Sequence, residues 1–285
     1  MWLMSMPVRK SCSDMIIDYD ISQIRSYINW EYFLHAWGML GRPESDRQKV
    51  CDEGRRMLDS LEGHYRTHAL FVLFNAHSDG DDVLVSVPSA STTVRIPFLR
   101  QQMAGSECLC LADFVHPLHD CIGLFATSVD HGMETDFDDD PYEKMMAQLL
   151  ADRLAEATAE CMHEVVRKHY WGYAPDEHLS VRELWAGRYQ GIRPAVGYPS
   201  LPDASMNFLI DQLIGLHQIG IRLTESGAMR PHASVSGLML AHPQAHYFTI
   251  GPIASDQLHD YSRRRGLPVE VMRRFLCPND SVSTN

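Results

Sequence analysis

Residues 189–202, with the sequence YQGIRPAVGYPSLP, form the segment best equipped to bind a small ligand. Its prolines and glycines rule out a helix or a central strand, so we expect an ordered, irregular loop. The guanidinium fork of Arg193 matches a carboxylate through two hydrogen bonds, and Gly197 allows a ligand to approach the backbone. Tyr198 can stack on a ligand or donate a hydrogen bond. Structured loops without ligands also carry such residues, so composition alone leaves both interpretations open.

Two other groups contain residue types that bind metals, and neither has a standard zinc spacing. His163-Glu164 begins a pattern like H-E-x-x-H, but the next histidine is His169, so the two imidazoles would lie on different faces of a helix. The second group consists of Cys108, Cys110, His116, His119 and Cys121. Apolar neighbours favour packing of buried thiols over a zinc site, so we assign no metal ligand and leave the role of this group open.

Bulk properties exclude several function classes. The net charge of −12 argues against nucleic acid as the main partner, since phosphate binding needs a basic face. No apolar run is long enough to cross a bilayer, and the N-terminal residues lack the pattern of a secretory signal. The odd number of cysteines, 7, suits a reducing compartment. We therefore expect a cytoplasmic protein without nucleic-acid or membrane partners.

Periodicity and capping signals predict the elements that position these residues. Asp140 and Pro141 mark the start of a helix that should run to about residue 169. Further helices are predicted near residues 21–40, 46–65 and 204–218, followed by two short ones after residue 255. Strands are predicted at residues 70–74, 83–87, 234–240 and 246–253.

The order of these elements favours the α+β class. Several strands are joined as hairpins, and no βαβ alternation runs through the chain. We found no long linker, internal repeat, dinucleotide fingerprint or P-loop motif. We therefore expect residues 1–285 to form a single domain, with residues 1–20 flexible.

The loop also carries a motif of a known family. Residues 193–198 (RPAVGY) resemble the R-x-x-x-G-Y motif in the reactivation domain of cobalamin-dependent methionine synthase. Other segments follow in the family's order: residues 98–102 (FLRQQ), 110–115 (CLADFV), 151–157 (ADRLAEA), 170–174 (YWGYA), 223–226 (LTES), 233–237 (ASVSG), 242–243 (HP), 256–257 (DQ) and 260–261 (DY). The resemblance extends over nearly the whole chain, which makes it specific.

This resemblance implies a C-shaped α+β fold built on a twisted antiparallel sheet flanked by helices. It also implies that S-adenosylmethionine binds in the concave face. By position in the motif, Arg193 should hold the ligand carboxylate, the backbone at Ala195 and Gly197 should contact the ligand, and Tyr198 should shape the pocket. Tyr247 and Glu156 match family residues near the site, although a core position and a helix surface, respectively, explain them equally well.

One position departs from the family pattern. The family has an aspartate where this chain has Asn29, and an aspartate can pair with the ligand's ammonium group. Asparagine loses the charge-assisted part of that bond, which is worth about 1.5–3 kcal/mol. We expect weaker binding of S-adenosylmethionine here, unless another acid compensates.

The resemblance finally implies a role in repairing oxidised cobalamin. Reactivation couples one-electron reduction of cob(II)alamin, by flavodoxin or a similar donor, to methylation from S-adenosylmethionine. The sequence lacks the D-x-H-x-x-G cobalamin motif, so we expect a free-standing module that is inactive alone and acts on a separate cobalamin-bearing methionine synthase polypeptide. No catalytic acid or base is assigned. A non-catalytic docking module and a reactivator of another corrinoid methyltransferase remain alternatives.

Overall fold

An antiparallel sheet organises the protein, in a computed structural model that describes residues 15–87, 90–102 and 107–276. The strands are β1 (Met15–Asp20), β2 (Arg66–Asp79), β3 (Asp82–Val87), β4 (Thr92–Pro97), β5 (Asp120–Val129), β6 (Arg222–Leu223), β7 (Met229–Arg230) and β8 (Ser234–Met239). The main sheet has the order β4-β3-β2-β5-β8, with β1 also paired to β2, while β6 and β7 form a separate ribbon.

Helices flank this sheet, as expected for the α+β class. They are α1 (Ile21–Ile24), α2 (Trp30–Ala36), α3 (Glu44–Leu61), α4 (Gly132–Thr135), α5 (Pro141–Val165), α6 (Val181–Trp185), α7 (Met206–Ile214), α8 (Ser255–Arg265) and α9 (Val269–Leu276). The predicted start of α5 is confirmed, because the Asp140 side chain accepts hydrogen bonds from the backbone of Tyr142 and Glu143. A π-helical turn, Val166–Tyr170, continues the chain beyond α5.

Both faces of the sheet are buried, which explains the unbroken apolar run in β2. Successive side chains of a strand point to opposite faces. Phe71 therefore packs in a core with α1, α2, α3 and α5, while Leu70 and Val72 pack in a second core with α7. A smaller third core joins α8 and α9 to Ile250 and Ile253. The helix α5 thus lies against one face of the sheet, where it forms one wall of the site described below.

The prediction of a strand at residues 246–253 is wrong. This segment has no ladder pairing, although Ile250 N donates a hydrogen bond to Pro199 O at 2.9 Å. The edge of β8 that such a strand would need is taken by the loop at residues 189–202, through bridges Ile192–Leu240 and Ala195–Gly237. Apolar packing of the segment in the third core produced a strand-like pattern without strand pairing.

Two other boundaries differ from the sequence predictions. The helix predicted at residues 204–218 is α7, which ends at Gly215 because that residue adopts a left-handed φ of 64°. Residues 15–20, which we expected to be flexible with the rest of residues 1–20, form β1, and residues 1–14 lie outside the described residues. No helix within the described ranges is long and apolar enough to cross a membrane.

Candidate functional site

One face of α5 carries a regular series of carboxylates. Residues four apart on a helix lie on the same face, one turn above another. We call the following set the α5 acid column: Asp152, Glu156, Glu160 and Glu164. Each member contacts another side chain. Two of these partners, Arg193 and Tyr198, belong to the loop at residues 189–202.

The loop reaches α5 because it is paired to the edge of β8. Val196 N donates to Ser236 O at 2.9 Å, and Leu238 N donates to Pro194 O at 3.0 Å. Gly237 is required for this close approach, since a Cβ atom there would lie 2.2 Å from Pro194 O. The sheet therefore fixes the backbone at Ala195. Two residues earlier, the Arg193 side chain turns toward α5.

The Arg193 side chain forms an ion pair with Glu160 that leaves both partners incompletely bonded. Its Nη2 lies 3.0 Å from Glu160 Oε2, and the two side chains are only 10% and 11% exposed. Its Nε and Nη1 and the other carboxylate oxygen of Glu160 are buried without a hydrogen-bond partner. The Phe125 ring lies on another side of the guanidinium, 5.7 Å from Cζ. Buried polar atoms are nearly always bonded, so these three atoms lack the partners expected for them.

Electrostatics follow from the burial of this pair. Burial raises the pKa of Glu160, and the positive charges of Arg193 and Arg167 only partly offset that effect. Burial acts on Arg193 to lower its pKa, but Glu160 together with Tyr189, Tyr247 and Glu156 outweighs burial, and the net pKa of the guanidinium is raised. Arg193 therefore stays protonated, and its charge 3.0 Å away favours the ionised form of Glu160.

Tyr198 and Gly197 form the exposed part of the loop. Tyr198 Oη donates to Glu156 Oε1 at 2.8 Å, while 52% of the residue stays accessible. Burial, followed by the Glu156 charge, raises the pKa of the Tyr198 phenol, so it stays a hydrogen-bond donor. Gly197 has φ of 87°, and no atom lies within 4 Å of where its Cβ would be, so the backbone there is open to a ligand.

Tyr247 connects the C-terminal segment to the same site. Its hydroxyl accepts a hydrogen bond from Arg193 N at 2.9 Å and lies 3.1 Å from the hydroxyl of Tyr189. The residue is 49% exposed, so one side of its ring faces outward. The structure thus brings Arg193, Ala195, Gly197, Tyr198, Tyr247 and Glu156 together.

Asn29 has a structural task of its own. It is the N-cap of α2, and its Oδ1 accepts hydrogen bonds from Glu31 N at 3.1 Å and Tyr32 N at 3.4 Å. No hydrogen bond among the described residues joins it to the loop. Two residues earlier in the chain, the Tyr27 hydroxyl donates to Glu164 on α5 at 2.8 Å.

Several residues around Arg193 were missed from the sequence. Glu160 is one of them, although the four-residue spacing of acids on α5 was its signal. Behind it, the Tyr189 ring lies between the edge-on ring of His163 and the guanidinium of Arg167, with Arg167 Cζ 4.2 Å from its centroid. Arg167 is fully buried and pairs with Glu177 at 2.6 Å. This layer fixes Tyr189 and, through it, Tyr247.

In the group of cysteines and histidines at residues 108–121, Cys110 is packed in a core, whereas Cys108 and His119 are exposed. Cys110 is fully buried, and burial raises the pKa of its thiol to about 12, which keeps it protonated. His116 Nδ1 accepts a hydrogen bond from Leu118 N at 3.1 Å and so helps to shape a turn. Within the described parts of the chain, no three histidine, cysteine or acidic side chains are grouped to hold a metal ion.

Comparisons with known proteins agree on one family. The family model described as the vitamin B12 dependent methionine synthase activation domain matches residues 20–266. The solved structure of the MetH reactivation domain bound to AdoHcy is similar to this chain, with a TM-score of 0.89 and 36% sequence identity over 98% of this chain and 93% of that one. The chain therefore belongs to the activation-domain family of vitamin B12 dependent methionine synthases.

Proposed function

We propose that this protein binds S-adenosylmethionine between the loop at residues 189–202 and α5, and thereby supports reductive methylation of cobalamin. The observation that carries the proposal is the buried Arg193, whose Nε and Nη1 have no hydrogen-bond partner although they are shielded from water. A ligand carboxylate could pair in bidentate fashion with one of these two donors and the second hydrogen of Nη2. The similar MetH structure binds AdoHcy, which has the same kind of carboxylate, and this supports the choice of ligand.

The other site residues would orient the ligand around that anchor. The backbone at Ala195 and the open side of Gly197 would contact the part of the ligand beyond its amino-acid end. Tyr198, held by Glu156, and Tyr247, held by Arg193 N and Tyr189, would provide aromatic walls. Asn29 would contribute through its Nδ2 group, since its Oδ1 already caps α2.

The protein's contribution to the reaction would be positioning. When methyl leaves a sulfonium, the departing group is a neutral thioether, so no proton has to move and no catalytic acid or base is needed. Holding two reactants in line can supply a large part of the barrier reduction. The cobalamin cofactor would supply the metal that accepts the methyl group. We further propose that this cofactor is carried by a methionine synthase module outside these 285 residues, in the cytoplasm, with a flavodoxin-like protein as electron donor.

The proposal is tested by reconstitution with a cobalamin-bearing synthase module, a one-electron reductant and methyl-labelled S-adenosylmethionine. We expect label to appear on cobalamin only when this protein is present. Binding of S-adenosylmethionine without transfer would favour a docking module that holds the partner without methylating it. Transfer only with a different corrinoid methyltransferase would favour that partner. Absence of binding and transfer would refute the proposed function.

A further inference from the structure

The Arg193–Glu160 pair poses a chemical question that carboxylate binding alone does not answer. The buried carboxylate of Glu160, 3.0 Å from Arg193, can orient the guanidinium, but this comes at a cost to the binding of a ligand carboxylate. The internal acid weakens the attraction of the guanidinium for a second anion. Yet Glu160 is 9% exposed, and one of its oxygens is buried without a hydrogen-bond partner. Leaving such an atom unbonded costs free energy, so it needs an explanation.

A zwitterion resolves the conflict. An α-amino acid carries a carboxylate and an ammonium on the same carbon, and the pair on the protein presents the complementary charges side by side. We propose that Glu160 recognises the α-ammonium of the ligand while Arg193 holds its carboxylate, so that the site selects the complete amino-acid end of the ligand. This inference rests on the proposed function and specifies which ligands the site accepts.

The arrangement rejects incomplete ligands as well as binding complete ones. A ligand with only a carboxylate would meet the negative charge of Glu160 without a compensating cation, in a site of low dielectric where the repulsion is strong. A ligand with only an ammonium would leave Nε and Nη1 of Arg193 unbonded. Specificity arises from the difference between such penalties and the gain for the correct ligand.

Neighbouring acids are less suited to this task. Glu156 accepts the hydroxyl of Tyr198, and Glu164 accepts the hydroxyl of Tyr27 and contacts Lys168. Asn29 is uncharged, and its oxygen already accepts two backbone hydrogen bonds. In the part of the chain that the structure describes, Glu160 is the carboxylate that lies in contact with Arg193 and keeps a buried, unbonded oxygen.

The test compares two ligands on three proteins. The ligands are S-adenosylhomocysteine, which lacks the sulfonium charge, and its deaminated analogue, in which hydrogen replaces the α-amino group. The proteins are the wild type, Glu160→Gln and Glu164→Gln. The last removes the same charge one turn along the same helix, so it controls for net charge and for changes in α5.

We expect the wild type to bind S-adenosylhomocysteine roughly tenfold to a hundredfold more tightly than the analogue, from the usual strength of a hydrogen bond to a charged group. Glu160→Gln should lose this preference in two ways, since the parent ligand binds more weakly and the deaminated one more tightly. Glu164→Gln should keep it. A substitution that merely disturbed packing would weaken both ligands together.

Each other outcome overturns a defined claim. If the wild type binds both ligands equally, or if Glu160→Gln folds and keeps the full preference, the role of Glu160 is refuted while the proposed function stands. If the wild type binds neither ligand, both fail. If Glu160→Gln does not fold, the ratio of the wild-type affinities for the two ligands still tests the inference. Equal affinity of the wild type for the deaminated ligand and its parent would refute it.

Discussion

Two arginine–carboxylate groups in this molecule differ in how completely their arginines are bonded. Near the β2–β3 turn, Arg264 donates from Nε to Asp260, from Nη1 to Asp82 and from Nη2 to Phe98 O. Arg100 in the same region also donates from all three nitrogens. We call these the hairpin arginines. Arg193, in contrast, uses one of its three nitrogens.

This difference distinguishes the hairpin arginines, which stabilise the fold, from Arg193, for which we propose ligand binding. In the hairpin arginines every side-chain nitrogen is already bonded within the fold, and these bonds join β3, α8 and the segment around residues 98–113. The Arg193 side chain is held by a single ion pair, and its Nε and Nη1 have no partner to give up when a ligand binds. The comparison predicts that substitutions in the two groups should affect different quantities.

Arg193→Ala should have the largest effect on binding. Loss of two hydrogen bonds to a charged group should weaken S-adenosylmethionine binding by at least about 100-fold. Calorimetric titration measures this directly. Arg193→Lys is the matched variant, because it keeps a charge beside Glu160 but loses the bidentate fork, and it should fall between the other two proteins. If Arg193→Ala bound S-adenosylmethionine as tightly as the wild type, Arg193 would not differ from the hairpin arginines in ligand binding.

Arg264→Ala should instead reduce stability. Asp82 is buried but keeps Arg95 as a second partner, so removal of Arg264 should cost about 1–3 kcal/mol, less than the loss of the sole partner of a buried charge. We expect this loss in the free energy of unfolding measured with urea, with the dissociation constant for S-adenosylmethionine changed by less than about twofold, since distant sites act independently. A large loss of affinity in a folded Arg264→Ala protein would show that the two groups are coupled.

Elements with local signals were predictable from the sequence, and those set by distant contacts were not. The cap of α5 at Asp140 is local and was predicted correctly. For β2, the prediction covered residues 70–74 of a strand that spans Arg66–Asp79, because its polar ends are strand only through pairing with β1, β3 and β5. The false strand at residues 246–253 arose because sequence cannot show that another segment occupies the β8 edge.

The site shows the same division. The loop composition and the motif at residues 193–198 identified the carboxylate-binding candidate, and the structure places those residues together. Glu160 was missed because an acid repeated every four residues is also the normal pattern of a solvated helix face. Its importance depends on the β8 edge, which brings Arg193 onto α5. The ligand roles of all these residues stay predictions.

Asn29→Asp should add a negative charge near the proposed ligand site without disturbing the fold. Aspartate and asparagine cap helices about equally well, so α2 should stay intact. If position 29 faces the ligand's ammonium, we expect about tenfold tighter binding of S-adenosylmethionine. Unchanged affinity in a normally stable variant would mean that Asn29 serves α2 alone.

Tyr198→Phe should have a smaller effect. It removes the hydrogen bond to Glu156 but keeps the exposed ring, so we expect a loss of about threefold in affinity and little change in stability. Tyr142→Phe is a close control, because Tyr142 also donates to a glutamate, Glu53, and is similarly exposed. An equal loss of affinity in both variants would contradict a specific role for Tyr198.

Substitution of His68 should have the smallest effect on ligand binding. Because both ring nitrogens of His68 are bonded within the fold, it should instead make stability depend on pH. Its Nδ1 lies 2.7 Å from Asp18 and its Nε2 3.0 Å from Asp130. Burial lowers the pKa of this imidazole, but the hydrogen bonds to Asp18 and Asp130 outweigh it, and the net shift is upward from 6.5. The folded state therefore holds the proton more tightly than the unfolded state.

The sign of the pH effect follows from that shift. The stabilisation should be complete below pH 6.5 and decline as the pH rises through the higher pKa of the folded protein. Urea unfolding at several pH values should show this decline in the wild type and not in His68→Gln. His68 is bonded within the fold, as the hairpin arginines are, so its substitution should leave the affinity for S-adenosylmethionine unchanged at each pH. If affinity changed together with stability, groups bonded within the fold would also control ligand binding, contrary to the comparison.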